Sequence, residues 1–228
     1  MPTHSRPVAV VTGANRGIGR EVCRHLAAEG YEVVLTARDK AKAETAAAEL
    51  GVRGFPLDVT GDPSALAEHL DAAYGRLDVL VNNAAILYDT WQRAITADLD
   101  VVREAAETNL YGPWRLTQAL LPLLRRSEHP RVVNVSSESG SLAGMGGGTP
   151  AYSASKAGLN ALTRMLAAEL RGDGVLVNAV CPGWDATDMG GAGGRPVAEG
   201  AASVLWAVRL RDGGPSGGFF RDGRPLPW

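Results

Sequence analysis

The chain has little of what metal centres and disulfide scaffolds are made from. Its 228 residues include two cysteines, Cys23 and Cys181, and four scattered histidines, His4, His25, His69 and His129. Zinc and iron–sulfur sites need thiolates or imidazoles at short, regular spacing, so no metal is expected and a metal-dependent hydrolase is disfavoured. Both thiols read as buried and reduced. Basic residues number 23 against 25 acidic ones, a net charge of -2, without the basic excess that nucleic-acid binding needs. No apolar run reaches the roughly 18 residues of a bilayer span. Residues 1–7 lack a charged-then-apolar leader pattern, which sets the expectation of a cytoplasmic protein with no membrane partner. No internal repeat is visible.

What the chain does have is a regular alternation. Apolar runs of strand length precede amphipathic segments of helix length, the pattern of a parallel sheet covered on both faces. Strands are expected at Val8–Val11, Glu32–Thr36, Arg53–Asp58, Leu77–Val81, Arg131–Val135 and Val175–Val180, with a last short one at Gly217–Phe220. Helices are expected from Gly17, over Lys40–Leu50, to Tyr74 after a cap at Asp62 or Ser64, from Leu99 past Leu124, through Tyr152 to Arg171, and over Pro196–Val208. The fold class is therefore α/β: a doubly wound parallel sheet of Rossmann type in three α/β/α layers, one domain over residues 1–228.

Two patterns carry chemistry. Gly13, Gly17 and Gly19 lie between the first strand and first helix, where glycines let the backbone approach a pyrophosphate and the helix amides stabilise it. Tyr152 and Lys156 are four residues apart on a helix and share a face, so the ammonium can favour the ionised phenol. With Ser136-Ser137 between these patterns, they point to a nicotinamide-dependent redox enzyme.

The ordered set Thr12-Gly13-x-x-x-Gly17-x-Gly19, Asn82-Asn83-Ala84-Ala85, Asn109, Ser136-Ser137, Tyr152-x-x-x-Lys156 and Pro182-Gly183-x-x-x-Thr187 resembles the short-chain dehydrogenase/reductase family, and the remainder its carbonyl-reductase-like branch. The resemblance implies that Tyr152 is the acid/base group. Lys156 would hold the nicotinamide ribose and lower the tyrosine pKa, Ser137 would hydrogen-bond the substrate oxygen, and Asn109 would bend the long helix and order a water leading from the lysine. Ser139, thirteen residues before the tyrosine, is the alternative serine. Gly13, Asn15, Arg16, Gly17, Ile18, Gly19, Asn83, Pro182, Gly183, Asp185 and Thr187 are implied around the cofactor, with Asp58 and Val59 near the adenine.

A carboxylate at the end of the second strand usually selects NAD. Here Thr36-Ala37-Arg38 stands there, with Asp39 one step on. Arg38 and Arg16 can clamp a 2′-phosphate, so NADPH is favoured over NAD. The expected activity is reversible reduction of a ketone or aldehyde, with a sensor or scaffold that binds the cofactor without turnover as the alternative. Trp91, Met145, Trp184 and Met189 are candidates for an apolar substrate pocket. A homodimer or homotetramer is expected on the two helices bearing Leu116, Leu120, Leu162 and Leu166, or else through the proline-rich end Pro225–Trp228.

Overall fold

A computed structural model of the protein describes residues 6–184 and 193–228. The strands are β1 (Val8–Val11), β2 (Glu32–Ala37), β3 (Arg53–Pro56), β4 (Val79–Asn82), β5 (Arg131–Val135), β6 (Leu176–Val180), β7 (Phe219–Arg221) and β8 (Arg224–Pro225), in the sheet order β3-β2-β1-β4-β5-β6-β7-β8. Every pair is parallel except β7 with β8. The doubly wound sheet is thus as expected, extended by an antiparallel edge that two residues could not announce. β3 ends at Pro56, which has no amide hydrogen to continue the ladder.

Successive strand side chains point to opposite faces, and the packing follows. Val33, Leu35, Val79, Val81 and Val133 meet helices α1 (Gly17–Ala28), α2 (Lys40–Leu50) and α7 (Val197–Val208). Val8, Val10, Val34, Leu80 and Val132 meet α3 (Ser64–Tyr74), α5 (Gly112–Leu124) and α6 (Pro150–Glu169) on the other side. A leucine fully buried in such a core, like Leu66 or Leu120, stabilises the fold by about 1.5–3 kcal/mol.

The long helix expected from Leu99 to Leu124 is present but broken into α4 (Leu99–Ala106), a π-helical turn at Glu107–Tyr111, and α5. Leu116, Leu120 and Leu162 are buried in the chain's own core and Leu166 packs against it. The three buried leucines are therefore unavailable as the contact surface expected of them; Leu99, Tyr111 and Met165 are the large apolar side chains that these helices and the turn expose. The tail folds onto its own chain. Ser141 Oγ donates to the Pro227 carbonyl at 2.8 Å, the Ala143 amide donates to the Trp228 carbonyl at 2.8 Å, and the Trp228 ring stacks on Phe219.

Candidate active site

Strand order reverses between β1 and β4, and at such a switch point the loops leaving neighbouring strands diverge and open a crevice. Here the crevice is a cleft of about 800 Å³ lined by segments directly after β1 (Gly13, Asn15, Arg16, Gly17, Ile18), β4 (Asn83–Leu87), β5 (Ser136, Ser137, Ser139) and β6 (Pro182–Trp184). Ala37, Arg38, Asp58 and Val59 extend it to one side, and Tyr152 and Lys156 close it on the other.

At the first end the glycine loop is fixed by its neighbours. Gly13 has φ +60, and a Cβ there would stand 2.8 Å from Ala84 Cα. Gly19 is buried behind the loop, where a Cβ would meet Asn83 Nδ2 at 2.5 Å; among the described residues it packs the helix onto the strand and does not line the cleft. Asn83 Nδ2 donates to the Thr12 and Gly13 carbonyls at 2.8 and 3.2 Å, and Thr12 Oγ1 accepts from the Asn83 and Ala84 amides at 2.9 Å. Asn82 instead turns into the sheet, donating to Asn134 Oδ1 at 2.8 Å. Helix α1 starts after Arg16 with no capping side chain and no acidic residue in its first turn, so its amides face the cleft as an anion site. By contrast, α2 is capped by Asp39, whose Oδ1 accepts from the Lys42 amide at 2.9 Å. That use takes Asp39 away from a ribose and leaves Arg38 as the charged group after β2. Asp58 is held below the usual carboxylate range by its bonds from the Thr60 amide and hydroxyl, with the Arg38 charge adding to the effect.

The other end is buried and hydrogen-bonded. Helix α6 presents Tyr152 and Lys156 on one face, with the Lys156 ammonium 5.6 Å from the Tyr152 ring centre. Burial pushes the phenol up to about 12, with a hydrogen bond from Ser137 pulling the other way and Cys181 adding to the rise. Burial brings Lys156 down to about 8. Its Nζ donates to the Val135 carbonyl at 2.7 Å. Of the two candidate serines, Ser137 is the one whose hydroxyl acts on the phenol, favouring its ionised form. Ser139 also lines the cleft, and its amide donates to Ser137 Oγ at 3.2 Å. Ser136 donates to Asn160 Oδ1 at 2.6 Å and Ser141 to the Pro227 carbonyl at 2.8 Å.

Asn109 sits in the π-helical turn that interrupts the long helix. Its side chain is fully buried and lies off the cleft wall among the described residues. Both amide hydrogens are committed, to the Ile86 carbonyl and Ser155 Oγ, and Oδ1 accepts from the Ile86 amide. Pro182 and Gly183 line the cleft, the Pro182 carbonyl accepting from Arg195, which also pairs with Asp222. Asp185, Thr187 and Met189 lie outside the described residues. Trp184 lines the cleft, whereas Trp91, 75% exposed, and Met145 do not; Ile86, Leu87 and Val197 supply apolar wall instead. Sequence reasoning did not single out Asp89, whose buried carboxylate meets the start of α6; no motif marks it.

With this geometry in view, comparison with known proteins is decisive. Residues 7–195 match the family model described as short chain dehydrogenase. The chain belongs to that family. It is 37% identical to (+)-neomenthol dehydrogenase of Arabidopsis thaliana, over 93% of this chain and 95% of that one, and 34% identical to carbonyl reductase [NADPH] 1 of Mus musculus, over 98% and 99%. The NADPH-bound carbonyl reductase from chicken fatty liver superimposes with a TM-score of 0.88 at 30% identity, covering 98% of this chain and all of the other. The neomenthol dehydrogenase alignment runs over 286 positions, more than this chain's 228 residues, so this short-chain dehydrogenase lacks segments that the relative carries. No helix among the described residues is long and apolar enough to cross a membrane, and no cluster of metal-binding side chains occurs among them.

Proposed function

We propose that this short-chain dehydrogenase reduces a ketone or aldehyde with NADPH, reversibly. The observation that carries the reading is the single cleft joining an uncapped helix start and Arg38 at one end to Ser137, Tyr152 and Lys156 at the other. The residues fit the cofactor: Gly13, Asn15, Arg16, Gly17 and the α1 amides would hold its phosphates, Arg38 its 2′-phosphate, Asp58 and Val59 its adenine side, and Pro182 and Gly183 its nicotinamide side. When bound, NADPH supplies the hydride. Ser137 Oγ orients the substrate oxygen and stabilises the charge that develops on it. Tyr152, neutral because burial holds its pKa near 12, donates its proton to that oxygen in the reductive direction. Lys156, protonated below about pH 8, holds the ribose and lies beside the phenol. Asn109 contributes through the helix bend and through the Ile86 segment that it fixes. Ile86, Leu87 and Trp184 suit a substrate with an apolar body.

Two of the relatives named above are described as carbonyl reductases acting with or binding NADPH, which supports the same reading. We also propose a homodimer or homotetramer formed through the α4–α6 face, resting on Leu99, Tyr111 and Met165. The function is tested by following NADPH consumption over a panel of aldehydes and apolar ketones. Turnover with at least one class supports it, and tight NADPH binding with no turnover across the panel favours the sensor or scaffold instead.

A further inference from the structure

The segment after β4 forms one wall of the cleft through Ile86, Leu87 and Thr90, and it is fastened at two points. At Ile86, Asn109 accepts from the amide at 2.8 Å and donates to the carbonyl at 3.0 Å. Three residues on, Asp89 is 1% exposed. Its Oδ2 accepts from the Ala151 amide at 2.7 Å and from the Tyr152 amide at 3.4 Å.

Those amides belong to the first turn of α6, which its own preceding residue does not cap. Thr149 has φ +41, in the left-handed region that β-branched residues rarely adopt, and makes no capping bond; its hydroxyl pairs with that of Ser153 at 3.2 Å. Asp89 therefore performs from outside the helix what a capping residue ordinarily does from within. The Tyr152 peptide is also held from its carbonyl side. Asn109 Nδ2 donates to Ser155 Oγ at 3.0 Å, and that hydroxyl donates to the Tyr152 carbonyl at 2.7 Å.

The carboxylate is not a space filler. Its second oxygen, Oδ1, is enclosed with no hydrogen-bond partner among the described residues, and a buried acceptor left unsatisfied is unfavourable where an apolar side chain would not be. What offsets that burial is the set of free amides and the partial positive charge at the α6 start.

We propose that Asp89 is a positioning residue for Tyr152, tying the catalytic turn of α6 to the cleft wall Ile86–Thr90 so that phenol and substrate wall keep one fixed relation. The proposal rests on the reading of Tyr152 as the proton donor. A wall that shifts with its helix preserves the distance from bound substrate to phenol, whereas an untied turn loses it without disturbing the glycine loop at the far end.

The test compares Asp89→Ala and Asp89→Asn in the full chain. Asp89→Ala lowers kcat on the order of 10- to 100-fold, as small misplacement of a reacting group does, while NADPH affinity changes by less than about twofold because no phosphate contact is touched. Asp89→Asn keeps an acceptor for the two amides and restores most of the lost kcat, which a change that merely loosened the fold would not do. Hydrogen exchange of the Ala151 and Tyr152 amides in the unmodified protein is the arm that needs neither variant to fold nor any turnover: slow exchange is expected, faster in Asp89→Ala. Fast exchange in the unmodified protein, full kcat in Asp89→Ala, parallel loss of NADPH affinity and kcat, or an Asn variant no better than Ala would each overturn the proposal. An unmodified protein that binds NADPH but reduces nothing would instead sink the proposed function, and the exchange comparison would still decide the clamp.

Discussion

The two ends of the cleft are built by opposite means. At the Tyr152 end, Lys156, Asn109, Ser136, Ser155 and Asp89 are buried and hydrogen-bonded to backbone or to other buried side chains. At the Arg38 end, Arg16 and Arg38 are exposed, and the phosphate site is made of amides left uncapped. Proton transfer tolerates little misplacement, so its groups are fixed before substrate arrives. A dianionic phosphate is attracted over several ångströms by exposed cations, so its partners can stand at the surface. The difference implies that changes at one end act chiefly on turnover and changes at the other on affinity, with Lys156, which would hold the ribose, bearing on both.

The sharpest way to break that division is at Tyr152. Tyr152→Phe removes only the transferable proton, so carbonyl reduction should vanish while NADPH affinity, measured by fluorescence titration, stays close to that of the parent. Next in size is Ser137→Ala, expected to lower turnover on the order of 100-fold or more, as loss of other oxyanion donors does. Ser139→Ala should be mild, because Ser139 meets Ser137 through its backbone amide and its side chain does not act on the phenol. A crippling Ser139 change with a silent Ser137 change would reverse the assignment.

Arg38→Asp should weaken NADPH by roughly 10- to 100-fold, the equivalent of one charge-assisted contact of about 1.5–3 kcal/mol, and improve NADH relative to it. Equal kinetic constants for the two cofactors in the unmodified protein would contradict the arginine clamp. The smallest effect concerns pH. Lys156 is lowered to about 8, so its ammonium is complete well below that pH and is lost as pH rises through it. NADPH affinity should therefore decline above about pH 8 in the parent, and Lys156→Met should remove that part of the decline.

Much of this was legible in the sequence because periodicity reports burial directly. The valine-rich strands and the capped α2 appear where their residues place them. What escaped were features set by tertiary contact. The β8 edge is two residues pairing with β7, too short to leave a pattern. The leucines of α5 and α6 are apolar whether they face the core or a second copy, and only the packing assigns Leu116, Leu120 and Leu162 to the core. Asp89 was missed because its partners, Ala151 and Tyr152, lie about sixty residues away in sequence and nothing local to it signals a cap.

The most direct measurement sets turnover and NADPH affinity side by side for the parent, Tyr152→Phe and Arg38→Asp. The predicted result is a crossed pattern: Tyr152→Phe without turnover but with parent-like affinity, and Arg38→Asp with weakened affinity but kcat near that of the parent at saturating NADPH. Loss of affinity and turnover together in both variants, or retained turnover in Tyr152→Phe, would contradict the division of labour along the cleft.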